Sequence, residues 1–170
     1  MIELLILYEL NKKVLTMYGI SKEIHNEFSV LTTPSYGTIK PALNRLAKAN
    51  CVKTQKTMSQ GGRPSTYYSI SGTGVDMMKE LLLEQPLENP ISFLPTARVK
   101  ISCASVLNNK EQIELFNLLK LKSENISLDI KKLLDSGDLD YYKRMAFDNL
   151  ICEYKNFISL LEGLIRASKN

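Results

Sequence analysis

Two short runs of β-type residues, Val52–Thr57 and Ser65–Ile70, are joined by Met58-Ser59-Gln60-Gly61-Gly62-Arg63-Pro64. The adjacent glycines mark a loop tip, so the segment reads as a β-hairpin with an exposed, positively charged end. The other apolar patterns of the 170 residues have helical spacing. A single hairpin must therefore be placed among helices, and the order of those helices decides the fold.

Ile2, Leu5, Ile6 and Leu10 recur at helical steps over residues 2–11, and Leu4 and Leu7 widen the face. Thr16 can cap a second helix over 17–28, with Tyr18, Ile20, Ile24 and Phe28 as its inward residues. Thr32-Thr33-Pro34-Ser35 is turn chemistry, with Ser35 as the next N-cap. A third helix then runs to about 49, with Ile39, Leu43, Leu46 and Ala47 on one face and Pro41 inside it. After the hairpin, Ser71 can cap a fourth helix through Val75, Met78, Leu81 and Leu82, in which Met77-Met78 reads as core. Three helices, a two-stranded hairpin with a basic tip and another helix is the winged helix-turn-helix order.

Charge is distributed to match. Residues 1–80 carry a net +4, and residues 81–170 are neutral. No acidic residue occurs between Glu27 and Asp76, while Lys40, Arg45, Lys48, Lys53, Lys56 and Arg63 fall in that interval. A segment stripped of acids suits a polyanion, because each cation placed near a phosphate releases counterions. Cys51, Cys103 and Cys152 are widely spaced with no CxxC, and His25 is the only histidine, so no metal site or cofactor is expected. No GxGxxG, P-loop or HExxH motif is present, and an enzyme is not expected. Glu3 precedes the first apolar stretch and no run reaches the ~20 apolar residues of a membrane span, so a cytoplasmic protein without a membrane partner is expected.

Pro86, Pro90 and Pro95 read as a linker over 85–95, followed by a short helical stretch over about 96–107. Asn108 or Asn109 can cap a helix over about 110–135, with Phe116, Leu119, Ile126, Ile130 and Leu133 at alternating steps and Ser123 as the weak position. Gly137 breaks the chain. The last helix, about 138–167, places Phe147, Leu150, Tyr154, Phe157, Leu161 and Leu164 at steps of three and four, the pattern of a coiled-coil seam. Leu118, Leu121, Ile151, Ile158, Leu160 and Ile165 lie off that seam. The expected architecture is mainly α with a small β-hairpin: a winged helix over 1–84, the linker, and an antiparallel long-helix hairpin over 96–170 for homodimerisation. Packing of the seam back onto the chain itself is the other possibility.

Tyr18-Gly19-Ile20-Ser21-Lys22-Glu23-Ile24, Ser35-Tyr36-Gly37-Thr38-Ile39-Lys40-Pro41-Ala42-Leu43-Asn44-Arg45-Leu46 and Gly62-Arg63-Pro64 through Gly74 resemble the PadR family of bacterial transcriptional regulators. The family pattern has His-Gly-Tyr where this chain has Tyr18-Gly19-Ile20, and a tyrosine in place of Lys40. The second half is similar in length and pattern to the larger PadR subgroup. The resemblance implies a dimeric regulator, usually a repressor, sometimes answering a small effector.

Ser35, Tyr36, Thr38, Lys40, Asn44 and Arg45 lie at the start and outer face of the third helix. Asn44 can pair with adenine, and Lys40 or Arg45 with guanine or phosphate of double-stranded DNA. Ser35 serves equally as a pure cap, and Arg45 can instead lay its stem on the domain. Lys56, Gln60, Gly61, Gly62, Arg63 and Ser65 form the wing, with Arg63 the strongest candidate for a minor-groove or phosphate contact. Of Tyr67 and Tyr68, one should face the core and one outward. Lys22 can reach the backbone from the second helix. The alternative function is a ligand-sensing or protein-interaction dimer whose winged helix does not bind DNA.

Overall fold

The computed structural model describes residues 1–58, 64–85, 89–137 and 139–169. The elements are α1 (Ile2–Lys12), β1 (Leu15–Thr16), α2 (Met17–Phe28), α3 (Tyr36–Lys48), β2 (Val52–Met58), β3 (Pro64–Ile70), α4 (Gly72–Leu83), α5 (Pro90–Ser102), α6 (Asn109–Asp135) and α7 (Tyr141–Ala167). They form two compact units, Met1–Glu84 with Arg98–Cys103, and Gln85–Ala97 with Ala104–Asn170.

In the first unit α1 is buried along most of its length, from Leu4 to Leu10. Neighbours cover every face of this stretch, so it is apolar nearly all round, with Glu9 its one charged residue. Ile20, Ile24 and Phe28 of α2, Ile39, Ala42, Leu43 and Leu46 of α3, and Met78 and Leu82 of α4 complete the core. Phe28 meets Tyr8 edge-on at 5.8 Å. Tyr18 departs from its expected inward place and is 67% exposed, whereas Ile20 is fully buried. The sheet has three strands rather than two, in the order β1-β3-β2, both pairs antiparallel. Two-residue β1 is too short to announce itself by alternation.

Caps fix the turns. Thr16 Oγ1 accepts from Gly19 N–H at 3.1 Å. Asn50 takes the left-handed conformation (φ 58°) after α3, and Asn50 and Cys51 N–H donate back to Ala47 and Leu46 carbonyls at 3.1 and 2.9 Å. This Schellman closure satisfies carbonyls that the helix end leaves open. Ser71 Oγ accepts from Gly74 N–H at 3.0 Å and donates to the Asn50 carbonyl at 2.6 Å. Ser35 stands at the α3 N-cap without a capping bond from its side chain; its hydroxyl lies 3.1 Å from that of Thr38.

The proline-bearing segment differs from the expected linker. Helix α5 starts at Pro90 and continues through Pro95, ending at Ser102, with a short 3₁₀ turn at Ala104–Val106. Proline at a first helical position loses no bond. Pro95 removes the bond to Ile91, but both residues are exposed, so water can serve that carbonyl. Lys100 is buried, and its ammonium donates to the Leu82 and Glu84 carbonyls at 3.1 and 2.8 Å, closing the C-terminus of α4. Burial pulls its pKa below the ordinary lysine value, with Glu84 opposing.

In the second unit α6 and α7 pack antiparallel, as Gln112–Ser168, Lys120–Glu162 and Arg144–Leu134 contacts show. Asn108 and Glu111 form a capping box at the start of α6, and Asp140 caps α7 through Tyr142 and Lys143 N–H. Gly137 has φ 81° at the break. Leu134, not the expected Leu133, turns inward at the end of α6. Phe93 stacks on Tyr154 at 6.3 Å and meets Phe157 edge-on at 6.4 Å. No helix among the described residues is long and apolar enough to cross a membrane.

Candidate nucleic-acid interface

Because Ile39, Ala42, Leu43 and Leu46 turn α3 inward, its opposite face is left to solvent. Tyr36, Lys40 and Asn44, spaced four apart, form one exposed row, with Thr38 and Ser35 exposed at its start. Lys40 and Asn44 also line a groove of about 370 Å³ together with Thr16, Tyr18, Ser65, Thr66 and Tyr68. The groove thus joins the outer face of α3 to β3 of the hairpin. Tyr67 and Tyr68 are both half-buried instead of dividing between core and solvent; pairing with β1 on one edge of β3 covers part of each. Lys56 is exposed on β2, and Ser65 is half-buried on β3. Gln60, Gly61, Gly62 and Arg63 lie outside the described residues.

Cations of this unit fall into two sets. Lys12 Nζ is 2.6 Å from Glu27 and 3.3 Å from Glu9, Lys13 is 3.1 Å from Glu23, and Arg45 Nε donates to Glu3 at 2.8 Å. Arg45 therefore lays its guanidinium against α1, the alternative open in the sequence. Lys22, Lys40, Lys48, Lys53 and Lys56 form no ion pair among the described residues. Unpaired lysines on α2, α3 and β2 keep their charge available to a polyanion.

Glu9, Glu23 and Glu27 bring carboxylate oxygens within 4.8 Å of one another, a grouping the sequence did not show. Lys12 already supplies the cation there, so the cluster reads as an ion-pair network tying α1 to α2, with Glu9 buried, Glu23 half-buried and Glu27 exposed. Burial pushes the Glu9 carboxyl above the usual carboxylate range, and Lys12 pulls it part of the way back.

Of the six seam residues, Tyr154, Phe157 and Leu161 are buried inside the chain, and Phe147, Leu150 and Leu164 are half-buried. The large apolar residues left exposed on α7 are Tyr141, Tyr142, Met145 and Leu160. Cys51 and Cys103 are buried and Cys152 is exposed; burial raises the Cys103 thiol to about 12.

A helix-turn-helix (α2–α3) followed by the β2–β3 hairpin, whose sheet is completed by β1 from ahead of α2, with an acid-free exposed helix face beside it, defines the winged-helix class of DNA-binding domains. Residues 6–80 match the Transcriptional regulator PadR-like family. The winged-helix part of the chain, residues 6–80, is thus a domain of the PadR-like family of transcriptional regulators. No curated protein matches it. Solved structures similar to the chain include Bacillus subtilis PadR in complex with operator DNA, 17% identical over 98% of each chain with a TM-score of 0.45. The same protein in complex with p-coumaric acid is 18% identical over 99% of this chain and 95% of that one, TM-score 0.43. A PadR family transcription regulator from hypervirulent Clostridium difficile is 30% identical over 46% of this chain and 79% of that one, TM-score 0.40.

Proposed function

We propose that the chain is a sequence-specific DNA-binding regulator that acts in the cytoplasm as a homodimer and represses its targets. Helix α3 enters the major groove, and the β2–β3 wing rests on the flanking backbone or minor groove. The observation that carries this reading is the exposed Tyr36–Lys40–Asn44 row continuing into the groove beside β3. Asn44 reads a base edge, Lys40 a guanine or phosphate, and Lys22, Lys56 and Arg63 serve the backbone. Arg45 is assigned to α1 through Glu3. Residues 1–84 carry DNA contact and residues 96–170 self-association, with a second copy covering the apolar residues exposed on α7 and the half-buried Phe147, Leu150 and Leu164.

Binding measured on a specific and an unrelated duplex separates these roles. Asn44→Ala should lose about 1–3 kcal/mol of discrimination between the two duplexes. Lys56→Ala and Arg63→Ala should each weaken both duplexes alike and lower the salt slope by about one unit. Full discrimination by Asn44→Ala would remove α3 from base reading.

A further inference from the structure

A second cleft, of about 240 Å³, opens on the other side of Tyr18 and is lined by Tyr18, Ser21, Lys22, His25, Thr33, Pro34 and Tyr36. Its chemistry is one-sided. Lys22 brings an ammonium and His25 an imidazole from successive turns of α2, and Tyr18 and Tyr36 bring phenolic hydroxyls from α2 and α3. No carboxylate lines it. Residues 29–35, which connect α2 to α3, contain no charged side chain. The nearest acids on α2, Glu23 and Glu27, are held by Lys13 and Lys12 of α1. Lys22 and Tyr36 make no ion pair or hydrogen bond among the described residues that would withhold them. The cleft shares Tyr18 with the groove beside Lys40 and Asn44, and Tyr36 heads the exposed row of α3. An anion seated here would lie on the same face as a duplex held by α3.

We propose that this cleft seats a DNA backbone phosphate between Lys22 and His25, with the Tyr18 and Tyr36 hydroxyls as further donors, and that DNA binding tightens when His25 takes up a proton. The proposal rests on the DNA-binding reading above and adds a site and a pH response to it. Histidine is the side chain whose ordinary titration falls between about pH 5 and 8. His25 is the only histidine in the chain; an α-amino group also titrates in that window, so variants of His25 carry the assignment.

The test uses the full chain and an unrelated duplex, because a phosphate contact carries no sequence information. Affinity is measured at about pH 6 and about pH 8, each across a salt series. The wild type should bind about fivefold more tightly at the lower pH, the gain expected of one added charge ~4 Å from a phosphate in water. Its salt slope should rise there by about 0.9. His25→Gln should bind equally at both pH values with the wild type's weaker affinity, and His25→Arg should hold the tighter affinity at both. Binding by the wild type with the pH response of His25→Gln would overturn the proposal while leaving the DNA-binding reading in place. No binding by any variant at any salt would overturn the DNA-binding reading as well. Inorganic phosphate titrated without DNA, followed by the His25 ring resonances, distinguishes the source of the anion. Saturation at low phosphate would make the cleft a free-anion site and overturn the backbone assignment; no saturation is expected.

Discussion

Gly74 shows how one position can be dictated by backbone proximity. A Cβ there would stand 2.1 Å from the Cys51 carbonyl oxygen and 2.8 Å from an Ile70 side-chain carbon. The glycine lets the first turn of α4 sit directly on the chain leaving α3, while Ser71 ties the same place to the Asn50 carbonyl. Gly74→Ala should therefore destabilise the protein by about 1–3 kcal/mol, as overpacking does, read from urea midpoints. Glu9 makes a different kind of residue-level claim. Its carboxyl is fully buried and its pKa lies above the usual 4.5, chiefly through burial. The folded state thus holds the proton more tightly than the unfolded one. That contribution to stability is full below pH 4.5 and is lost as pH rises through the folded-state value. Lys12 also pairs with Glu27, at 2.6 Å, so neutralising Glu9 does not strip it of its only partner. Glu9→Gln should raise Tm at neutral pH, with the gain shrinking as pH falls toward 4.5. An unchanged difference across that window would contradict the burial account.

At the scale of elements, what was legible in the sequence were those features written in local pattern. Thr16, Ser71 and Asn108 announce their helices because a capping side chain must sit next to the turn it closes. Asn108→Ala should cost about 1 kcal/mol, read from thermal unfolding, since it removes the acceptor for Glu111 N–H and half of the capping box. The outer face of α3 was legible for the same reason: its inward residues fix which side remains. Local pattern misleads where tertiary packing overrides local preference. Proline density suggested a linker, yet Pro90 stands at a helix start and Pro95 on an exposed side, where neither breaks α5. Tyr18 followed the helical period but turned outward, and β1 is too short to have a period. Arg45–Glu3 spans 42 residues in sequence, and the Lys22–His25–Tyr36 cleft depends on the angle of the α2–α3 turn. Neither has a local signature.

At the scale of the molecule, the heptad-like steps of α7 marked a real seam but not what fills it. Tyr154 and Phe157 meet Phe93 of the same unit, and Leu161 is fully buried. A charge at Phe157 or Leu161 would damage the chain's own core and report little about a partner. Met145 and Leu160 are large apolar side chains left half exposed on α7. The wild type should sediment as a dimer, and the double variant Met145→Asp with Leu160→Asp should keep its helical signal and sediment as a monomer. A folded double variant that remains dimeric would move the self-association surface elsewhere.

Fluorescence anisotropy with DNA from upstream of the protein's own gene, against unrelated DNA of equal length, reads sequence-specific binding by the chain. Titrations at about 50 and about 200 mM salt span the range over which phosphate-driven binding falls steeply. Tight binding to the upstream fragment is expected, resistant to unrelated competitor, saturating at one dimer per site and weakening with salt. Absence of binding to either DNA, even at the lower salt, would contradict it.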